Sequence, residues 1–90
     1  MAHITVRSRH AAVYDGTGEV TCDERDTPHT WDVLLRCSQA DLDAFRALRT
    51  GESLGVEIGD VGVGRAQFAA IEAPGHVRLT GLGFCPDPNH

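Results

Sequence analysis

Apolar and polar residues alternate with a period of two along most of this chain, which is the pattern of β-strands. The clearest example runs from Thr30 to Cys37, where Trp31, Val33 and Leu35 form the apolar face. A phase slip near residues 11 and 12 indicates a β-bulge in the first strand. The other predicted strands span residues 3–14, 19–22, 54–59, 63–71 and 76–84.

One segment follows the helical period instead, and it predicts a helix over residues 39–49. Ser38 followed by Asp41 resembles a capping box at the helix start, with Asp in place of the usual Glu. Gly51 stands where a left-handed C-terminal cap belongs. The apolar stripe of this helix consists of Leu42, Phe45 and Leu48.

The predicted turns are short and favour antiparallel pairing of the strands. Residues 15–18 (DGTG) indicate a turn between the first two strands, and residues 23–29 (DERDTPH) indicate an exposed loop. We therefore predict an α+β fold, a mainly antiparallel β-sandwich or barrel of about six strands in the order β-β-β-α-β-β-β. Residues 1–84 should form a single β-rich domain, and the Pro-broken residues 85–90 an extended tail.

The charge balance argues against several classes of partner. The chain has 13 acidic and 8 basic residues, for a formal net charge of −5, and all its basic residues are arginine. Phosphate neutralisation dominates affinity for nucleic acid, so we expect no nucleic-acid partner. The short basic run at residues 7–10 is interpreted as a solvated strand face. No apolar run is long enough to span a bilayer, so we expect no membrane partner and a cytoplasmic location.

The decapeptide GDVGVGRAQF, residues 59–68, resembles a phosphate-binding loop because three glycines precede Arg65. A dinucleotide site requires a helix after the glycine-rich turn, but the residues that follow alternate as a strand. A P-loop requires lysine, which this chain lacks. A hairpin turn at Gly59 and Asp60 is the better interpretation.

No other group of residues has the spacing of a chemical site. The five histidines form no metal-ligand spacing, and the three cysteines are too few for a disulfide scaffold, so we expect free thiols. Cys37 lies at a helix start, but it also completes the apolar face of its strand. We therefore predict a protein that is not an enzyme, with no catalytic residues, no metal ligands, no cofactor and no small-molecule substrate.

The last two strands carry apolar or small residues on both faces. In the strand over residues 63–71, one face has Val63, Ala69 and Ile71, and the other has Ala66, Phe68 and Ala70. Burial of both faces requires a closed barrel, a sandwich or a subunit interface. The candidate interface residues are Val63, Ala66, Phe68, Ala70, Leu82 and Phe84.

The region from Trp31 to Phe84 resembles small virion proteins of tailed bacteriophages, especially tail-tube-like β-sandwich subunits. The similarity lies in a strand, a helix ending in LRTGE, and the segments SLGVEI, GRAQFAAI and VRLTGLGF. The resemblance implies sheets that bury a core and pair edge to edge with neighbours into rings. The length of the chain better suits a minor tail, connector or capsid-decorating protein.

Three functional hypotheses follow. The first is a homo-oligomeric assembly protein of a phage particle, which binds copies of itself or other virion proteins and is located in a virion assembled in the bacterial cytoplasm. The second is a small acidic binding or immunity-type protein that masks a basic partner through Asp23, Glu24 and Asp26. The third is a barrel that binds an anion through Arg65 and Arg78.

Overall fold

The computed structural model describes residues 2–9, 11–23, 30–59, 62–72 and 75–83. These residues form strands and one helix in the order β-β-β-α-β-β-β. The elements are β1 (Ala2–Arg7), β2 (Ala12–Asp23), β3 (Thr30–Arg36), α1 (Gln39–Arg46), β4 (Ser53–Ile58), β5 (Gly62–Glu72) and β6 (His76–Leu82). The prediction of a mainly antiparallel β protein with one helix is confirmed for this part of the chain.

The six strands close into a barrel in the order β1-β2-β3-β6-β5-β4. All neighbouring pairs are antiparallel, and pairing of β1 with β4 completes the closure. The sequence left a sandwich and a barrel open, and the strands adopt the barrel. Closure gives every described strand a hydrogen-bonded neighbour on each side over part of its length.

The interior of the barrel is filled by the alternate residues that the sequence pattern had assigned to one face. Trp31, Val33 and Leu35 of β3 are at most 1% exposed. Ile4 and Val6 of β1 are also fully buried. The rest of the core consists of Tyr14, Leu42, Phe45, Leu54, Val56, Ile58, Ala66, Phe68, Val77 and Leu79.

The predicted turn at residues 15–18 is wrong, because β2 runs through it without interruption. The chain turns earlier instead, where the amide of Ser8 donates to the carbonyl of Ala11 over 2.8 Å. Gly16 and Gly18 permit close packing rather than a turn. A Cβ on Gly16 would lie 2.6 Å from the Tyr14 hydroxyl, and one on Gly18 would lie 2.8 Å from Ile4 Cδ1.

Helix α1 closes one end of the barrel. Its predicted capping box is present, since the Ser38 side chain accepts from the amide of Asp41 while the Asp41 carboxylate accepts from the amide of Ser38. The helix ends at Arg46, earlier than predicted, and Gly51 adopts its left-handed conformation (φ 89°) in the turn beyond it. The Phe45 ring is fully buried; its centroid lies 6.2 Å from that of Tyr14 and 5.8 Å from that of Phe68.

Strand β5 begins with the predicted hairpin but departs from the predicted alternation further along. The predicted hairpin after Gly59 is present, with Ile58 paired to Gly62. A register shift between Phe68 and Ala70 then changes the phase of β5, so Ile71 joins Phe68 on the inner side while Ala70 is exposed. The sequence pattern alone had placed Ala70 with Phe68, because alternation cannot reveal one extra residue in a strand.

The expectation of free thiols holds for one described cysteine and fails for the other. Cys37 is free, whereas Cys22 is disulfide-bonded. The cysteine count had suggested free thiols because a multi-bridge scaffold was excluded, but one bridge needs only two cysteines at any separation in sequence. No helix in the described part of the chain is long and apolar enough to cross a membrane.

Candidate functional site

The predicted interface residues separate into interior and exterior positions. Ala66 is fully buried and Phe68 is 6% exposed, so both pack the barrel interior rather than an outer surface. Among the described residues, Val63 and Leu82 are the exposed large hydrophobic residues, at 74% and 38%. Ala70 is also exposed, and Phe84 lies outside the described residues. The interface prediction therefore rests on the outer wall of β5 and β6.

Val63 and Leu82 form what we call the outer apolar pair. Leu82 is in register with Arg65, two residues after Val63, so the pair are diagonal neighbours across β5 and β6. Diagonal side chains on one face of a sheet lie about 7–8 Å apart, within reach of a common contact. The pair gives this wall an apolar surface that the barrel interior does not use.

A concave surface lies beside this pair, with Arg65, the register partner of Leu82, among its lining residues. We call it the arginine groove; it has a volume of about 570 Å³. Arg7 of β1 is in register with Gly55 of β4, which is in register with Arg65 of β5. Two arginines thus stand on either side of a residue with no side chain, their Cα atoms about 10 Å apart by two strand spacings. The other lining residues include Ser8, Arg9, Glu52 and Ser53.

The arginines of the groove differ in their partners. Arg7 Nε lies 3.3 Å from a carboxylate oxygen of Glu57, in a pair that is about half exposed. Arg65 Nη2 donates to the hydroxyl of Ser53 over 2.6 Å, a contact that orients the guanidinium without neutralising it. Among the described residues, neither Arg65 nor Arg9 forms an ion pair. The arrangement can hold an anion between cations on the two strands that flank β4.

The third hypothesis paired Arg65 with Arg78, and the structure places these two apart. Arg78 donates through Nε to Glu72, at 3.0 Å, and lines a smaller groove on the β2–β3–β6 side with Glu19 and Asp32. Arg65 instead faces Arg7 across Gly55. The sequence contained one signal for the proximity of Arg7 and Arg65, since alternation places both arginines and Gly55 on outer faces. The register that aligns them could not be obtained from alternation alone.

The remaining polar groups fit structural roles. His3 contacts Asp15 across β1 and β2, and no cluster of metal-ligating side chains exists in the described ranges. Burial, with a contribution from Asp41, raises the pKa of the Cys37 thiol to about 11. A thiol with that pKa is almost entirely protonated near neutral pH and is a poor nucleophile.

Trp31 presents the one unsatisfied buried side-chain polar atom of the described residues. Its indole lies against Gly81, where a Cβ would come within 2.1 Å of the ring. Trp31 lines neither the arginine groove nor the smaller groove beside Arg78, and we interpret this donor as a packing compromise rather than a ligand site.

The outer surface of β5, with the apolar pair on one side and the arginine groove on the other, is therefore the candidate site. Comparison of this chain with protein-family models, with curated proteins and with solved structures gave no match.

Proposed function

We propose that this protein is a non-enzymatic assembly module, a β-barrel that associates with copies of itself and with other proteins of a bacteriophage particle. The observation that carries the proposal is the outer apolar pair, because Val63 is 74% exposed in a chain of only 90 residues. Burial of apolar surface contributes about 25 cal/mol per Å², so such a pair is a natural centre for a contact. The resemblance of residues 31–84 to phage virion proteins supplies the class of particle.

Closure of the barrel limits the strand edges through which such a module could associate. Edge-to-edge pairing, which the resemblance implied, requires a strand with an unpaired side. Each barrel strand has two neighbours over part of its length, and the exposed apolar residues lie on the outer wall, so the association that we propose uses side chains of that wall. Val63 and Leu82 would lie at the centre of that contact, and exposed Ala70 lies further along the same strand.

The alternative of an acidic protein that masks a basic partner depends on residues 23–26. Glu24 and Asp26 lie outside the described residues, and only the backbone of Asp23 is described. This alternative stays a prediction from charge. It predicts binding that weakens steeply with salt, whereas an apolar contact is little affected by salt.

The test is the molar mass of the protein by light scattering from micromolar to millimolar concentration. We expect the wild type to exceed the 9.7 kDa monomer mass as concentration rises. The double variant Val63→Asp, Leu82→Asp should remain monomeric, since carboxylates would have to be desolvated in the contact.

The matched control is Thr17→Asp, which places a carboxylate at an exposed position of β2, three strands away from β5 around the barrel. This variant should associate like the wild type. A wild type that stays monomeric throughout, with no binding to any virion protein, would contradict the proposal.

A further inference from the structure

Self-association does not explain why two arginines line a groove over Gly55. We propose that the arginine groove binds a phosphate group, either as the free ion or on a small organic ligand. Arg7 and Arg65 would hold the phosphate from opposite sides over Gly55. This inference goes beyond the assembly role and does not depend on it.

The first support is Gly55 itself. Glycine in a strand interior weakens the strand by about 0.5–1 kcal/mol relative to alanine, so its presence needs a reason. Gly55 does not have a positive φ. A Cβ at this position would meet nothing closer than the Arg7 carbonyl oxygen at 3.8 Å, which is ordinary contact. The fold thus permits a side chain at this position. Because the residue is glycine, the space between Arg7 and Arg65 stays open.

The second support is the charge within the groove. Three guanidinium groups line it against one carboxylate, that of Glu52, although the whole chain has a net charge of −5. Glu57 offsets part of the charge of Arg7 through a contact at Nε, in a pair that is about half exposed. Without a ligand, the like charges of Arg7 and Arg65, on the two strands that flank β4, repel each other, so an anion would stabilise the arrangement.

The third support is the geometry of the donors. Arg7 and Arg65 approach from strands on either side of β4, and Ser53 holds the Arg65 guanidinium by a hydrogen bond of 2.6 Å. A phosphate offers oxygens in several directions and carries up to two charges near neutral pH, which suits donors that converge from two sides. A carboxylate, by contrast, can pair with the guanidinium of a single arginine and does not need donors from two sides.

The experiment is titration of the full chain with inorganic phosphate, in which NMR spectra monitor the amide and arginine Nε–H signals. Sodium chloride at matched ionic strength serves as the reference, and the protein concentration is kept where its molar mass is constant. We expect saturable shifts at Gly55, Arg7 and Arg65. A parallel titration with phenyl phosphate distinguishes the free ion from a phosphate on an organic ligand. Tighter binding of phenyl phosphate than of inorganic phosphate identifies an organic ligand, and equal binding identifies the free ion.

Three variants sharpen the result. Gly55→Val fills the floor of the groove and should weaken phosphate binding about tenfold or more while the protein stays folded. Arg65→Gln should weaken it about tenfold. Glu52→Gln removes the carboxylate that competes with the ligand and should tighten binding, a gain that loss of folding cannot mimic. Arg36→Gln, which removes an exposed arginine outside the groove, should leave binding unchanged.

The proposal is overturned if chloride produces the same shifts as phosphate. It is also overturned if Gly55→Val, shown to be folded by its spectrum, binds phosphate like the wild type. Succinate that binds as tightly as phosphate would replace the phosphate assignment with a carboxylate one. These results are independent of the molar mass, so the assembly proposal can fail while this one stands.

Discussion

Gly81 and Gly55 are both strand glycines, yet they have opposite environments. Gly81 faces the interior of the barrel, where a Cβ would come within 2.1 Å of the Trp31 ring. Gly55 faces outward, where a Cβ would meet only one backbone oxygen at 3.8 Å. The fold requires glycine at the first position and merely allows it at the second. A residue that the fold does not explain is therefore the better indicator of function.

The same contrast applies to the two surfaces of the barrel as a whole. The inner face is apolar, closely packed and closed at one end by α1, so its residues account for stability. The outer wall at β5 combines an exposed apolar pair with arginines. Substitutions inside should change the free energy of unfolding, and substitutions outside should change binding or association.

The largest expected effect comes from the helix that closes the barrel. Phe45→Ala removes a fully buried ring between Tyr14 and Phe68, and we expect it to lower the free energy of unfolding by about 3–5 kcal/mol. Urea unfolding monitored by fluorescence of the single tryptophan measures this. A loss below about 1 kcal/mol would show that the helix is not part of the cooperative core.

Gly81→Ala should have the next largest effect. The added methyl group must displace the buried Trp31 ring, which we expect to cost about 1–3 kcal/mol, as overpacking of a core does. The same urea measurement applies. Unchanged stability would mean that the indole has room to move and that the contrast between the two glycines is unfounded.

High pH provides a third test of the interior. Burial, with contributions from Cys37 and Asp41, raises the pKa of Tyr14 to about 12 from its ordinary value of 10.0. Because the folded pKa is the higher one, the stabilisation is complete below pH 10 and is lost as the pH rises towards 12. The only tyrosine of the chain should therefore show phenolate absorbance late and together with unfolding. Ionisation near pH 10 in the folded protein would contradict its burial.

The smallest expected effect on stability is at the outer glycine. Gly55→Ala should leave the free energy of unfolding unchanged or raise it by up to about 1 kcal/mol, since alanine reduces the entropy of the unfolded chain. This substitution is the matched partner of Gly81→Ala. Destabilisation by more than about 1 kcal/mol would show that the fold itself requires Gly55 and would remove the main argument for a ligand there.

The sequence was sufficient to predict what depends on local pattern. The alternation in residues 30–37 predicted the inner face of β3, and Ser38 with Asp41 predicted the helix start. The turn predicted at residues 15–18 was wrong, because Gly16 and Gly18 leave space for the side chains of Tyr14 and Ile4 and do not form a turn. The bulge in β5 and the alignment of Arg7, Gly55 and Arg65 likewise depend on strand register, which alternation does not specify.

We propose that this barrel associates through the outer wall of β5 and β6. Hydroxyl-radical footprinting of dilute and concentrated protein measures it directly, because it reports the solvent accessibility of individual side chains. We predict that Val63 and Leu82 lose reactivity at high concentration while Leu34, on the outer side of β3, keeps its reactivity. Equal reactivity of Val63 and Leu82 at both concentrations would contradict the account.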